Sequence, residues 1–225
     1  MNLLFSSAIT VFFVIFFYKK ERNYTFSKHS YLMHQELIGV AFGFCSILSI
    51  EYCTITKDAI ISTRDAAPVV AGLVFGGPSG IIAGIISGTY RLLWHSSISQ
   101  AGLVSSMLDA NSMGGFARIA GALGSIFAGL IAALAKKYLV DEKKANVFLA
   151  LFISSLVLIF ELTMVFYFRS GYSIRTNEVL AQCAVPIYIA NIVTVGIAML
   201  AAWALSVKKA PVANKTQEKF DLSWY

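Results

Sequence analysis

The sequence predicts an all-α integral membrane protein with about seven membrane helices, its N-terminus outside and its C-terminus inside. Two observations lead to this fold class. First, hydrophobic residues make up 57% of the 225 residues and charged residues only 13%, about half of the charged share of a soluble domain. Second, apolar runs recur near the roughly 20 residues that a helix needs to cross a bilayer. These runs are 2–18, 36–50, 65–94, 115–138, 146–168 and 181–207.

The run at 65–94 is predicted to form two short helices. It is long for one helix, and Gly76-Gly77-Pro78 lies in its middle. Proline has no N–H group and cannot continue a straight helix. Lys and Arg collect on the cytoplasmic side of a membrane. With two helices of about 65–76 and 78–94, all the basic loops fall on that side, whereas a single helix would place some of them outside.

Basic residues set the predicted orientation. Four of them lie in each of three segments, which are 19–35, 136–145 and the tail from 208. The positive-inside rule places all three segments in the cytoplasm. The net charge of +6 therefore indicates cytoplasmic loops, and we expect no binding of nucleic acid.

Small residues repeat every four positions in the hairpin and in the helix that follows it. The sets are Gly72 and Gly76; Gly80, Gly84 and Gly88; and Ala117, Gly121, Ser125 and Gly129. Residues four apart share a helix face, and small side chains let helices approach closely in lipid. Packing between helices of one chain is the simpler interpretation. The alternative is docking of a partner protein or of a second copy of the chain.

Polar side chains inside apolar runs are candidates for function, because a charge in hydrocarbon is costly unless it is paired or faces a cavity. The candidate sensing residues are Arg64, Asp65, Arg91, Arg118, Glu161 and Asn191. Glu161 lies deep in its run. It either makes a structural hydrogen bond or an ion pair with one of the arginines, or it contacts a ligand. Asn191 either bridges two helices or contacts the ligand.

The charged candidates other than Glu161 fall at predicted outer ends of helices. There the arginines either line the mouth of a cavity or extend to lipid headgroups. The sequence contains no G-x-S-x-G, P-loop or H-E-x-x-H motif, which are common signatures of hydrolytic, nucleotide or zinc chemistry. We therefore expect no catalytic residue, no metal site and no cofactor in this chain.

The segment 63–92 carries a resemblance to a known family. It contains TRDAAPVVAGLVFGGP followed by SGIIAGIISGTYRL, and Met113-Gly114-Gly115 comes later. These motifs resemble the LytS–YhcK-type receptor domain, the sensory membrane region of LytS-like histidine kinases and of some diguanylate cyclases. The resemblance covers about 35–207. This sequence departs from the family pattern in two places. Family members commonly carry an acidic residue at the position of Ser62. In this chain the segment 92–113 also separates Tyr90-Arg91 from Gly114-Gly115.

The resemblance implies a membrane sensor for signal transduction in the bacterial cytoplasmic membrane, with phosphorelay sensing and, for LytS-like members, regulation of cell-wall organisation. It divides the chain into an N-terminal transmembrane helix with a basic loop (1–34), a receptor domain (35–207) and a basic cytoplasmic tail (208–225). The tail is too short for a kinase or cyclase domain. We therefore expect no enzymatic activity from this chain itself.

The expected partners are the lipid bilayer, a cytoplasmic kinase or cyclase, and a second copy of the chain. The Gly-Pro hairpin is also similar to one in the substrate-binding membrane subunits of vitamin transporters, and this function is the alternative. A third hypothesis is a holin-like or purely structural membrane protein. It predicts that Glu161, Arg64 and Arg91 can be replaced by apolar or neutral residues without loss of function.

Overall fold

A computed structural model describes residues 2–23, 28–52, 54–55, 60–93, 113–139, 146–168 and 175–207. The elements in these ranges are α1 (Asn2–Asn23), α2 (Lys28–Glu51), β1 (Thr54–Ile55), β2 (Ile60–Ile61), α3 (Ala66–Val74), α4 (Gly77–Leu93), α5 (Met113–Leu139), α6 (Val147–Phe168) and α7 (Arg175–Val207). The two strands pair antiparallel. Apart from this short pair, the regular structure of the described residues is helical, as the composition predicts.

Several of these helices are suited to a bilayer. Within the described residues, four stretches are long and apolar enough to cross a membrane: Tyr31–Glu51, Ile119–Leu139, Val147–Met164 and Ala184–Ser206. The chain is therefore an integral membrane protein with several apolar helices. The exact number of crossings and the orientation of the N-terminus stay predictions.

Two helices begin earlier than the apolar runs suggest. α2 starts at Lys28 and α1 continues to Asn23, so the segment 19–35, expected to be a loop, is helical at both of its ends. α7 starts at Arg175, ahead of the run that begins at 181. Hydrophobicity marks only the part of a helix that lipid or protein covers. Lys, Gln and Glu have nearly the same helix propensity as Leu, so a helix continues into polar sequence.

The predicted break in the run at 65–94 is confirmed at Phe75 and Gly76, between α3 and α4. The N–H groups of these two residues bond to the carbonyl of Ala71 at 3.0 and 3.3 Å. Gly76 has a φ of +132°, which residues with a side chain rarely adopt. Pro78 lies in the first turn of α4, where its missing N–H group leaves no helical hydrogen bond unmade.

Polar side chains satisfy the backbone of this turn. Gln35 of α2 is buried, and its amide donates to the carbonyl of Phe75. The hydroxyl of Ser79 lies 2.9 Å from the carbonyl oxygen of Ala71 and 2.8 Å from that of Gly76. Non-helical backbone inside a membrane protein requires such partners, because lipid supplies none.

The glycine stripe of α4 packs against α5. A Cβ atom added to Gly84 would lie 2.7 Å from the carbonyl oxygen of Ser125, and one added to Gly88 would lie 2.7 Å from that of Ala122. These distances are too short for any side chain larger than hydrogen, so the glycines let the two backbones meet. This face of α4 is occupied by the same chain and leaves no room for a partner protein.

Replacing Gly76 with alanine is expected to lower the free energy of unfolding by about 1–3 kcal/mol, the usual cost of a backbone conformation that a side chain disfavours. The new methyl group would also lie 3.0 Å from Oε1 of Gln35. Unfolding in mixed micelles with increasing SDS measures the change. The control is Gly196→Ala, where the nearest atom is 3.9 Å away. Equal stability of the two variants would contradict the strain at Gly76.

Candidate functional site

Three charged side chains meet inside the helical bundle. Arg64, just before α3, forms an ion pair with Glu161 of α6 through Nη2 and Oε1. Its Nε atom lies 3.5 Å from Oδ1 of Asp65. The side chain of Arg64 is only 5% exposed and that of Glu161 only 15%. We call these three residues the charged cluster. It joins α6 to the start of α3 across a long separation in sequence.

α5 makes space for the charged cluster. A Cβ atom added to Gly121 would lie 2.8 Å from Nη2 of Arg64, and one added to Gly124 would lie 3.5 Å from Cβ of Glu161. The hydroxyl of Ser125 donates to Oδ1 of Asp65 at 2.5 Å. The small-residue stripe of α5 therefore has two roles, since it contacts α4 and also accommodates the ion pair.

Hydroxyl groups from two helices hold the non-helical segment before α3. Ser46 of α2 donates to the carbonyl of Arg64 at 2.8 Å. Ser49, also on α2, accepts the backbone N–H of Thr63 at 3.1 Å. The hydroxyl of Ser6 on α1 lies 2.9 Å from that of Thr63. The arginine is thus presented by a backbone whose polar groups are satisfied within the bundle.

Asn191 of α7 contacts the same segment. Its Nδ2 donates to the carbonyl of Ser62 at 3.4 Å and to that of Ile187 at 3.1 Å. Asn191 therefore bridges two parts of the bundle, which is one of the two roles expected for it.

A crevice opens beside the charged cluster, where α6 and α7 face the start of α3. Its lining residues are Asp65, Val69, Ser154, Val157, Leu158, Glu161, Tyr188 and Asn191. The crevice contains about 290 Å³ of empty space, counted out to its open side. Asp65, Glu161 and Asn191, all candidates from the sequence, are brought together here.

The arginines are placed differently from the expectation. Arg64 and Arg91 are 4% and 6% exposed, so neither extends to a lipid headgroup. Neither is among the residues that line the crevice. Their positions at helix ends suggested exposure, but packing within the bundle covers both side chains. The side chain of Arg118, on α5, lies outside the described side chains.

The family model described as 5TMR of 5TMR-LYT matches residues 21–110 and 99–204. This chain belongs to the LytS-type five-transmembrane receptor domain family. The resemblance seen in residues 63–92 is thereby confirmed. No curated protein and no solved structure matches the chain.

The matched part of this LytS-type receptor domain contains the charged cluster and every residue that lines the crevice. The match begins at 21, whereas the resemblance in sequence suggested a start near 35. α1 lies almost entirely before it. As a member of this family, the chain is a membrane sensor domain for signal transduction.

Sequence reasoning missed several polar residues of the receptor site. They are Ser6, Ser46, Ser49, Thr63, Ser125, Ser154 and Tyr188, which either bond to the charged cluster and its segment or line the crevice. The available signal was a hydroxyl inside an apolar run. That signal is weak, because serine and threonine in membrane helices commonly bond to the carbonyl of their own preceding turn, as Ser155 and Thr163 do.

Proposed function

We propose that this chain is the sensing part of a bacterial signal-transduction system, with its N-terminus outside the cytoplasmic membrane. A stimulus acts at the charged cluster and the crevice, and α7 passes the change to a cytoplasmic kinase or cyclase. The partner supplies the catalysis. The observation that carries this proposal is the meeting of three charges, each at most 15% exposed, with a crevice that α7 helps to line.

A buried charged cluster is a poor way to obtain stability alone. Removing charges from water costs several kcal/mol per ion, and apolar side chains of similar volume often stabilise a protein as well or better. The stability of the bundle alone therefore does not require Arg64, Asp65 and Glu161. Intramembrane charges typically mark a functional site, and the family match makes sensing the best-supported function.

The charged cluster also has the properties of a switch. Arg64 is shared, because it contacts Glu161 directly and lies 3.5 Å from Asp65. A stimulus that interacts with either carboxylate changes how the guanidinium is divided between them. Signalling requires that the stimulus stabilise one arrangement more than the other, and not merely that it bind.

α7 is the element best placed to carry this change. It contacts the cluster's segment through Asn191 and lines the crevice with Tyr188. Farther along, Thr194 bonds to Ser7 of α1 at 2.7 Å. From there α7 continues to Val207, next to the basic residues that the positive-inside rule places in the cytoplasm. A shift of α7 at the crevice therefore reaches the proposed cytoplasmic face.

The test replaces all three charges at once in the charge-free variant, Arg64→Met/Asp65→Asn/Glu161→Leu. We expect it to reach the membrane in normal amount and to lose the cell-wall response, measured from transcripts of cell-wall genes under envelope stress. Thr163→Val, an exposed position on the same helix, is the control and keeps the response. A charge-free variant with a normal response would favour a structural protein over a sensor.

Copurification after crosslinking in the membrane identifies the partner. A kinase or cyclase that crosslinks to the wild-type chain is the expected result. An ATPase complex or a retained vitamin-like molecule would instead support the substrate-binding subunit of a transporter and would overturn the sensor proposal.

A further inference from the structure

Two polar atoms at the crevice have unused hydrogen-bonding capacity. Within the described part of the chain, Oγ of Ser154 and Oδ1 of Asn191 have no hydrogen-bond partner. Both residues are more than nine-tenths buried, at 7% and 9% exposure. A buried polar atom without a partner is costly, and in native structures it calls for a bound water, an ion or a functional reason.

The orientation of Asn191 follows from its neighbours. The carbonyl oxygens of Ser62 and Ile187 lie within hydrogen-bond distance of one end of its amide. A carbonyl only accepts hydrogen bonds, so the end that faces these two atoms must be the NH₂ group. The amide oxygen is therefore the end left for the crevice.

The other polar groups of the lining are also oxygen atoms. Asp65 and Glu161 contribute carboxylates, and Tyr188 contributes a hydroxyl that lies 3.1 Å from the hydroxyl of Ser155. Among the described residues, no lysine, arginine or histidine lines the crevice. Hydroxyl, amide and carboxylate oxygens on helices are the groups that coordinate small hard cations in channels and transporters.

Size and charge restrict the ligand further. The 290 Å³ of empty space includes the open side of the crevice, so the enclosed space is smaller than this and suits a small ligand. The charged cluster has one cation and two carboxylates. The charge of Arg91 also acts on Glu161 from outside the crevice. The described residues contain no group of three His, Cys, Asp or Glu side chains suited to a metal ion, so a divalent ion is disfavoured.

We propose that the crevice binds a small monovalent cation through Ser154, Asn191 and the carboxylates of Asp65 and Glu161. The cation connects α6 and α7 to the start of α3 and competes with Arg64 for the two carboxylates. This inference rests on the proposed sensing function and specifies its ligand class. Occupancy by the cation stabilises the arrangement in which α7 lies against the charged cluster.

Thermal unfolding of the purified protein in detergent tests the site. The probes are NaCl, KCl, LiCl, NH₄Cl, MgCl₂ and CaCl₂, each compared with choline chloride at equal ionic strength, since choline is too large for such a site. We expect at least one small cation to raise Tm in a saturable manner, because a ligand that binds only the folded state stabilises it.

Ser154→Ala is the decisive variant. It removes one oxygen ligand and is expected to weaken the apparent cation affinity about tenfold, the effect of losing one good ligand contact. Its Tm in choline chloride should equal or exceed that of the wild type, because the lost hydroxyl had no partner. Thr163→Ala, an exposed hydroxyl on the same helix, is the matched control and keeps the wild-type affinity.

Three outcomes would overturn the cation site: the same Tm in every salt including choline chloride, a cation effect that Ser154→Ala and Asn191→Ala both leave unchanged, or a rise with Mg²⁺ or Ca²⁺ alone. These outcomes are separable from failure of the sensor proposal. If no cation binds but the charge-free variant still loses the cell-wall response, only the cation inference fails. If a cation binds and the charge-free variant responds normally, the sensor proposal fails.

Discussion

Replacing Glu161 with leucine lowers the free energy of unfolding by about 3 kcal/mol, the low end of the cost of breaking a buried ion pair. Arg64 then remains buried, with Asp65 as its nearest carboxylate at 3.5 Å. Because Arg64 keeps this contact with Asp65, we expect a loss of stability at the low end of the usual range. Unfolding in mixed detergent and SDS micelles measures the effect, and Thr163→Val on the same helix is the control.

The charge-free variant separates the charge from the shape of the site. It removes the stranded guanidinium together with both carboxylates, so we expect it to recover most of the stability that Glu161→Leu loses. Asn at position 65 still accepts the hydrogen bond from Ser125. If the charge-free variant were as unstable as Glu161→Leu, packing at position 161 rather than an unpaired charge would explain the loss.

Replacing Gly80 with valine is the second large effect, a loss of about 3 kcal/mol from overpacking. A Cβ atom there would lie 2.6 Å from Cα of Gly72, 2.9 Å from N of Gly72 and 3.2 Å from the carbonyl oxygen of Gly129. All three are backbone atoms on α3 and α5, which cannot rotate away as a side chain does. The helices must separate, and buried contacts are lost.

The control for this variant is Gly196→Val on α7. The nearest atom to a Cβ atom there is Cδ2 of Leu151, at 3.9 Å, which is ordinary contact. We expect its stability to change by less than about 1 kcal/mol, the helix propensity of valine against glycine. Equal losses at the two positions would show that valine itself, and not the close approach at Gly80, is responsible.

Much of the fold follows from local chemistry. The helix break at Gly76 is predictable because proline cannot continue a helix and glycine tolerates a positive φ. The bilayer location is predictable because so few charged residues are available to face water. The early start of α2 at Lys28 was missed, because hydrophobicity reports what covers a helix and not where its backbone hydrogen bonds begin.

The candidate site was only partly predictable. Glu161 and Asn191 were recognised because polar groups inside apolar runs are costly. The pairing of Glu161 with Arg64 spans 97 positions, and two other arginines were equally available as partners. Ser125 and Ser154 were missed, since a single hydroxyl in a helix has no pattern that separates a site residue from one bonded to its own turn.

By itself, the sequence determined that this chain is a membrane protein, that its third apolar run breaks into two helices, and that Glu161 lies inside an apolar run at a cost. These properties depend on the residue and its close neighbours along the chain. Only the tertiary structure decided that Arg64 pairs with Glu161, that α5 makes room for both, and that α7 completes an oxygen-lined crevice. Those contacts depend on which helix faces lie together, and facing residues far apart in sequence share no local signal.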